Sequence, residues 1–524
     1  MPLKDLDSKV VEYPLAKRGV NFYSNIVEIH PEEALLTQNL VYGNGMVKRA
    51  GQAKFESDEV SASKRITGLH RFYYSTSSKQ LIASSGTTIK YHDGATWQNV
   101  RTGLTDDKQT YFTTWLDDCY IANATDVPSY WDGSTDTSLT AAPANTKMFL
   151  PYQDRLLSIT GGDLTWSGSF DNTTWETVAN CGVRPDTQLF GMIIHSVTNI
   201  STGYQAQVLL AGANGMYLFA GSDLRVPAIS NGDYTIYSLA VPVGCNSPRT
   251  MQWTPRGTIW LGIDRQVYIL PFNSNTPIPI GDKIRSNRGD VEGIESIPAA
   301  QLENCSATYH NGYYMLSFAP SGGSYNYKQF WLDITRLGQD DDGLWGPWYG
   351  PMTGQQISCF VVQNGMGDSG ELLGGESDAS TGSYVYSLNQ KGTYSDDGTA
   401  IQVYYQTFYN GLGTLALRKD VHRLEAELLD ITSSINVDFF DIDGTLKTGD
   451  NFSLTSSAVY WNDGGFWGDG TYFTNSVTRR HHEKITPAIQ PRRLSIGFSN
   501  SSSDEDFVLN ALRVEALEQN LIFG

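Results

Sequence analysis

Lys79–Trp97, KQLIASSGTTIKYHDGATW, is the stretch on which the fold turns. Gln80–Ala83 is short and apolar, Gly86 interrupts it, and Thr87–His92 alternates branched or aromatic residues with polar ones. Asp93-Gly94 then turns the chain again. This pattern predicts two antiparallel strands and two tight turns. Asp-Gly suits a hairpin because the turn needs positive φ, which Gly adopts freely and Asp tolerates.

The same sentence recurs. Asp117 and Asp118 lead into CYIANATDVPSYWDG, with Trp131-Asp132-Gly133 where His92-Asp93-Gly94 stood. Arg155–Trp175 (RLLSITGGDLTWSGSFDNTTW), Val208–Gly221, Thr258–Leu270, Tyr313–Asp333 and Glu371–Leu388 are further copies. They lie roughly 36 to 58 residues apart, the period of four-stranded propeller blades. Seven copies predict seven blades, with six as the alternative count. A lone small sheet leaves one apolar face in water, so each blade must pack on the next, and a closed ring leaves only short edges.

A chain of 524 residues is too long for one core and has room for a propeller with appended modules. Its 51 glycines, 12% aromatic content and lack of long helical apolar periods point to an all-β fold. The formal charge of -19 repels polyanions, so gripping DNA through its phosphates is disfavoured. The same surface suits a passage through which nucleic acid slides without sticking. Cys119, Cys181, Cys245, Cys305 and Cys359 are dispersed, with no C-x-x-C pair. They read as reduced, buried residues, against a disulfide framework or zinc site. Met1–Leu15 is polar and no run of about 18 apolar residues occurs, so neither a secretory signal nor a membrane span is expected.

Three regions are expected: an N-terminal arm over residues 1–65, a β-propeller over 66–400 and a C-terminal β-sandwich over 401–524. In the arm, Pro31–Leu36 predicts a short helix, with Pro in its first turn and two acids at the positive end of its dipole. A strand of the arm could tie the propeller shut, and Lys48-Arg49 reads as a solvated turn. Gln339–Gly350, QDDDGLWGPWYG, is an acidic turn anchored by Trp; it lacks the alternating ligands and closing acid of a calcium loop. Gln402–Phe408, Val421–Leu429, Ile435–Asp441, Arg493–Phe498 and Val508–Ala516 predict the sandwich strands. Ala458–Phe473, dense in aromatics and Gly, reads as a cover for its core, or as a contact surface for another subunit. Arg479, Arg480, His481, His482 and Lys484 make a basic run, read as a solvated hairpin end or a partner for a neighbour's carboxylates.

Two stretches look chemical. Phe439–Leu446, FFDIDGTL, matches the nucleophile motif of the haloacid-dehalogenase-like phosphatases, which resemblance would make Asp441 the nucleophile and Asp443 the acid and base. The motif belongs at the end of a strand in a doubly wound α/β domain, and this one lies in β sequence, so a hairpin turn at Asp443-Gly444 is expected. Ser169–Trp175 is similar to the Asp-box turn of sialidase-type propellers but lacks the Gly and is one residue short. No Ser-His-Asp arrangement, H-E-x-x-H motif or phosphate-binding G-x-x-x-x-G-K-S/T loop is present. No catalytic, cofactor-binding or metal-ligating residue is assigned, and the chain is not expected to be an enzyme.

The arm also carries Gly19-Val20-Asn21, Gln38-Asn39-Leu40 and Gly45-Met46-Val47-Lys48-Arg49-Ala50-Gly51, followed by the Gly-rich β region. This order resembles the opening of propeller-type tail proteins of short-tailed bacteriophages, the nozzle or tubular tail proteins and packaged-DNA stabilisation proteins. Ala50 departs from the commoner form, in which Pro follows the Arg. The resemblance implies a structural virion protein of the tail, assembled in the host cytoplasm as a ring of copies, six in number. Its partners would be portal or adaptor proteins and tail fibres or a needle, with DNA passing through an acidic channel during ejection. The alternative is a virion-displayed, glycan-binding adhesin propeller.

Overall fold

A computed structural model describes residues 9–75, 78–176, 188–200, 203–224, 233–272, 274–285, 291–364, 370–412, 418–428, 434–442, 444–453, 479–502 and 505–518. The chain divides into two compact units. One comprises Ala53–Trp345 and Gln355–Leu388; the other gathers Met1–Gln52, Gly346–Gly354 and Asn389–Gly524.

The first unit is a seven-bladed β-propeller. Each expected copy lies in its own antiparallel sheet. The first strands of the sheets are Ile66–Tyr73, Tyr111–Trp115, Met148–Tyr152, Leu189–Ile200, Gln252–Thr254, Ser306–His310 and Ile357–Val362. Each touches the first strand of the next sheet, and the seventh touches the first, so the ring is closed. In the opening blade, Lys79–Ser85 pairs with Ile66–Tyr73 on one side and Thr88–His92 on the other. Gly86 takes the positive φ that the turn requires. The next turn is longer than Asp93-Gly94 alone. His92 pairs with Trp97, and Asp93 Oδ1 accepts the backbone N–H groups of Ala95 and Thr96, each at 2.8 Å, which makes the carboxylate the turn's organiser.

Alternation along a strand explains the ring. Leu81 and Ala83 join Cys359, Leu373 and Val385 of the seventh blade in one core, whereas Ile82 between them joins Cys119, Ile121 and Trp131 of the second. The pattern repeats: Leu156 packs with the second blade's Tyr120, and Leu157 with the fourth blade's Val208 and Leu210. Each such side chain stabilises the ring by about 1.5–3 kcal/mol. A blade is therefore sided twice, and neither side is satisfied without a neighbour. The seventh sheet begins in the order Ile357–Val362, Leu372–Glu376, Val385–Gln390, Gly51–Lys54, and the short strands Ser395–Asp396 and Thr399–Ala400 follow. The Phe55 N–H donates to Val385 O at 2.7 Å. A strand from early in the sequence thus completes the last blade, as expected of the arm.

The second unit is a β-sandwich, and the arm belongs to it. One sheet orders Leu40–Tyr42, Met46–Lys48, Val508–Glu518, Lys419–Leu428 and Arg479–Ile489, with Lys9–Tyr13 also on Val508–Glu518. The other orders Ala34–Gln38, Val403–Thr407, Leu494–Asn500, Ser434–Asp441 and Gly444–Ser453. Leu424, Leu512 and Val514 of the first sheet meet Val403, Val437, Ile496 and Phe498 of the second in one core. The helix expected over Pro31–Leu36 is absent. Only the turn at Pro31-Glu32 precedes the strand Ala34–Gln38, which pairs with Val403–Thr407, because Ala34 and Leu35 enter the core and pairing outweighs local propensity. Ala458–Phe473 lies outside the described residues.

Candidate functional site

Turns in the first three blades repeat one device, an aspartate whose carboxylate accepts backbone N–H groups two or three residues on. Asp132 Oδ1 accepts from the Ser134 and Thr135 N–H groups, both at 2.7 Å, and Asp171 Oδ1 accepts from Thr173 N at 2.8 Å, as Asp93 does in the first blade. Hydroxyl bonds from Ser134 to Asp132 and from Thr173 to Asp171, and the backbone N–H bonds, foremost that of Thr96 to Asp93, hold all three carboxyls below their ordinary range, so the turns are anionic. The Asp-box-like stretch is the third copy. Its Trp175 Nε1 donates to Asn172 O at 2.7 Å, so the aspartate and tryptophan fold the turn. Beside the second copy, burial, then the charges of Asp132 and Asp117, push Asp118 up to about 6. Two apolar side chains stand among these acids: Leu116 and Phe170, both exposed and both at positive φ.

The axis of the propeller is capped where the first strands begin. The short 3-10 helix Ala299–Asn304 leads into the sixth blade, yet its partners lie across the ring. Asn304 Oδ1 accepts from Arg65 Nη1 at 3.2 Å, and Glu303 O accepts from Gln109 Nε2 at 2.8 Å. Lys147 Nζ reaches Glu303 Oε1 at 3.1 Å. Those partners precede the first, second and third blades, so the helix spans the axis. Arg249 reinforces the cap: it donates to Thr67 O and to Thr110 O, and its guanidinium lies 5.2 Å from the Tyr111 ring centre. Arg65 also pairs with Asp107 at 2.5 Å. Cations, carboxylates and carbonyls here satisfy one another. Sequence reasoning missed this cluster, because its members precede five different strands and form no motif.

The arm's signature residues meet inside the sandwich unit. Asn39 Oδ1 accepts from Arg49 Nε at 3.0 Å and from Thr353 N at 2.8 Å, while its Nδ2 donates to Gln402 O at 2.7 Å. Arg49 is fully buried and grips Asp396 with both terminal nitrogens. Lys48 is buried as well, donating to Ser502 O at 3.1 Å and Glu505 O at 3.0 Å. The solvated turn expected at Lys48-Arg49 is thus corrected: the buried Asp396 and a ring of carbonyls supply counter-charge and acceptors that water would otherwise provide. Gly19 has φ +78, and a Cβ there would lie 2.0 Å from Trp348 O; a Cβ on Gly51 would lie 2.0 Å from Ser395 O. Asn21 Nδ2 donates to Glu33 Oε2 at 2.8 Å, and its Oδ1 caps the N–H groups of Tyr23 and Ser24.

The phosphatase-like motif forms a hairpin, with Asp441 opposite Gly444. The Asp441 carboxylate accepts from the backbone N–H groups of Ile442, Arg492 and Arg493 at 2.8 to 3.3 Å, so it ties a turn to a neighbouring segment. Asp443 lies outside the described residues. In the acidic stretch after Gln339, Asp340 is held by the buried Lys283 at 2.5 Å and caps Leu344 N, while Asp341 and Asp342 face solvent. Among the described residues no group of three or more His, Cys, Asp or Glu is arranged to hold a metal. Cys119, Cys245, Cys305 and Cys359 are unbridged and buried, and burial raises their thiol pKa values, Cys245 up to about 11. Cys181 lies outside the described residues. Arg479–Ile489 is a strand rather than a hairpin end; Arg480 and His482 stand in register with Glu427 and Glu425 of its own sheet. Among the described residues no helix is long and apolar enough to cross a membrane.

No family model matches the chain, and no curated protein matches it. Among solved structures it is similar to YCF48 bound to D1 peptide, at 9% identity and a TM-score of 0.37, over 68% of this chain and 98% of that one. It is similar to the N-terminal domain of Nup159 at 11% identity and a TM-score of 0.36, over 68% and 100% of the two chains. The extracellular domain of BT4673 from B. thetaiotaomicron gives 10% identity and a TM-score of 0.39, over 83% and 49%. These likenesses concern the fold alone. The closed ring of seven sheets within this chain makes it an all-β propeller protein.

Proposed function

We propose that the chain is a structural virion protein of a short phage tail, one copy of the nozzle ring that retains packaged DNA and conducts it during ejection. The observation that carries this reading is the convergence of the arm's signature. A Cβ at Gly19 or Gly51 would overlap backbone, and Asn21, Asn39 and Arg49 are buried and held by side-chain bonds, so the resemblance rests on a built structural element. The anionic turns of the first three blades supply the weakly binding surface that such a wall needs. The capped axis supports a specific geometry: the conduit is enclosed between copies arranged head to tail around a common axis.

Image classes of purified virions, with this chain bearing an affinity label, test the reading. The expected result is a ring of several labelled copies, with six expected, below the portal. Label at fibre tips, or a small oligomer that binds cell-surface polysaccharide and loses it on Trp253→Ala, replaces the nozzle by an adhesin. Trp253 is the residue for that arm, since its exposed ring lies tilted beside Phe272, with centres 5.8 Å apart, and would offer a face to a sugar.

A further inference from the structure

One sheet of the sandwich unit is bounded by two strands that each pair on one side only. Among the described residues, Lys9–Tyr13 pairs with Val508–Glu518 alone, and Arg479–Ile489, at the far end of the sheet, pairs with Lys419–Leu428 alone. The short strand stands in the open: Lys9, Val10 and Glu12 are exposed, Val10 to 60%. An edge strand presents backbone donors and acceptors that a strand of another chain can complete. Charge on an edge discourages such pairing unless the incoming strand carries the opposite sign.

The face of this sheet turned away from the core carries a row of alternating charge. Glu425, Arg513 and Glu12 stand opposite one another on three adjacent strands. Arg513 Nη1 donates to Glu425 Oε1 at 2.9 Å, and its Nη2 to Glu12 Oε1 at 3.4 Å. The row therefore ends in a carboxylate at the Lys9–Tyr13 edge. The strand at the other edge is basic, with Arg479, Arg480, His481, His482 and Lys484 around Glu483. Direction matches as well as sign. The four strands from one edge to the other alternate in direction, so a second copy placed head to tail brings its Arg479–Ile489 antiparallel to Lys9–Tyr13.

The two faces limit the register. A slip of one residue would turn every side chain to the wrong face, so only even slips are open. The slip that sets Glu12 opposite Arg480 of the next copy also sets Lys9 opposite Glu483, and both charges of the short strand then meet the opposite sign. Two residues further along, Lys9 would meet Ile485, and after two more Pro487, which has no N–H to give.

We propose that Lys9–Tyr13 receives the Arg479–Ile489 strand of a second copy of this chain, with Glu12 opposite Arg480 and Lys9 opposite Glu483, so that one sheet runs on from copy to copy. The charged row then continues unbroken, Glu425, Arg513 and Glu12 being followed by Arg480 and Glu427 of the next copy. This contact is head to tail, and it rests on the nozzle reading only for its closure into a ring. Five residues bury too little surface to hold two copies alone, so the seam sets register while ring closure supplies strength.

Oxidative cross-linking of the full chain reads the seam, because it traps a contact that short strands make briefly. Val10 faces His482 in this register, so Val10→Cys with His482→Cys in one chain is expected to give a ladder of covalent oligomers, and the two single variants, mixed, their heterodimer. Val10→Cys with Thr486→Cys, four residues or about 13 Å further along, is expected to give only the background of the single variants alone. Adding Glu12→Arg to the first pair is expected to lower the yield about fivefold, and adding Arg480→Glu as well to restore it. Absence of both ladder and heterodimer overturns the seam, and the mixed single variants decide it should the double variant fail to fold. Equal yield from the Thr486 pair overturns the register, and a loss that Arg480→Glu does not reverse overturns the charge pairing. Rings on virions without the cross-link strike the seam alone, whereas a ladder from a chain absent from tails strikes the nozzle alone.

Discussion

Arg49 shows how one side chain can anchor a region that sequence alone places in solvent. Removing its charge leaves Asp396, itself only 7% exposed, without a counter-ion. Arg49→Met is expected to cost about 3–5 kcal/mol in denaturant unfolding. Arg49→Lys is expected to fall well short of wild type, because an ammonium cannot reproduce the paired grip on Asp396 together with the bond to Asn39. At Asp118 the direction reverses. Its raised pKa means that its ionisation weakens the fold as pH climbs through about 6, so Asp118→Asn is expected to raise the melting temperature at pH 7.5 and to leave it unchanged near pH 3. The gain is small, since solvent screens a group this exposed. Arg49 was illegible for a physical reason: a Lys-Arg pair beside glycines has the composition of a turn, and its partner Asp396 lies far along the chain.

Among the elements, the blade hairpins were the most legible part. Their signals are local: alternation within a strand, a glycine where φ must be positive, and an aspartate that caps its own turn. Asp132→Ala is expected to cost about 1 kcal/mol by thermal unfolding, because it removes the acceptor for the Ser134 and Thr135 N–H groups in an exposed turn. The strand Ala34–Gln38 was misread as helix for the opposite reason. Pro31, Glu32 and Glu33 suit a helix start, but the partner that decides the matter, Val403–Thr407, is remote in sequence. The axial cap was hidden in the same way, assembled from the residues between strands, where no period operates.

At the scale of the molecule, the chain's beginning is integral to both units. Residues up to Lys54 supply four strands to the sandwich and one to the seventh blade. Deleting residues 1–54 is expected to give aggregated protein, measured as loss from the soluble fraction and from a monodisperse chromatographic peak. A soluble, cooperatively melting product would contradict that dependence. The expected boundaries at 65 and 400 were drawn where the repeats start and stop. The contacts draw them elsewhere, at Gln52 and Leu388, because strand partners ignore distance along the chain.

The strand Gly51–Lys54 leaves the ribosome long before its neighbour Val385–Gln390 exists. At about 5–20 residues per second the gap is tens of seconds, during which that early strand must wait without its mate while one blade after another emerges. The circle therefore stays open until Gln390 has been made, and a nascent chain stalled ahead of Val385 exposes sticky rims to whatever chaperone stands nearest.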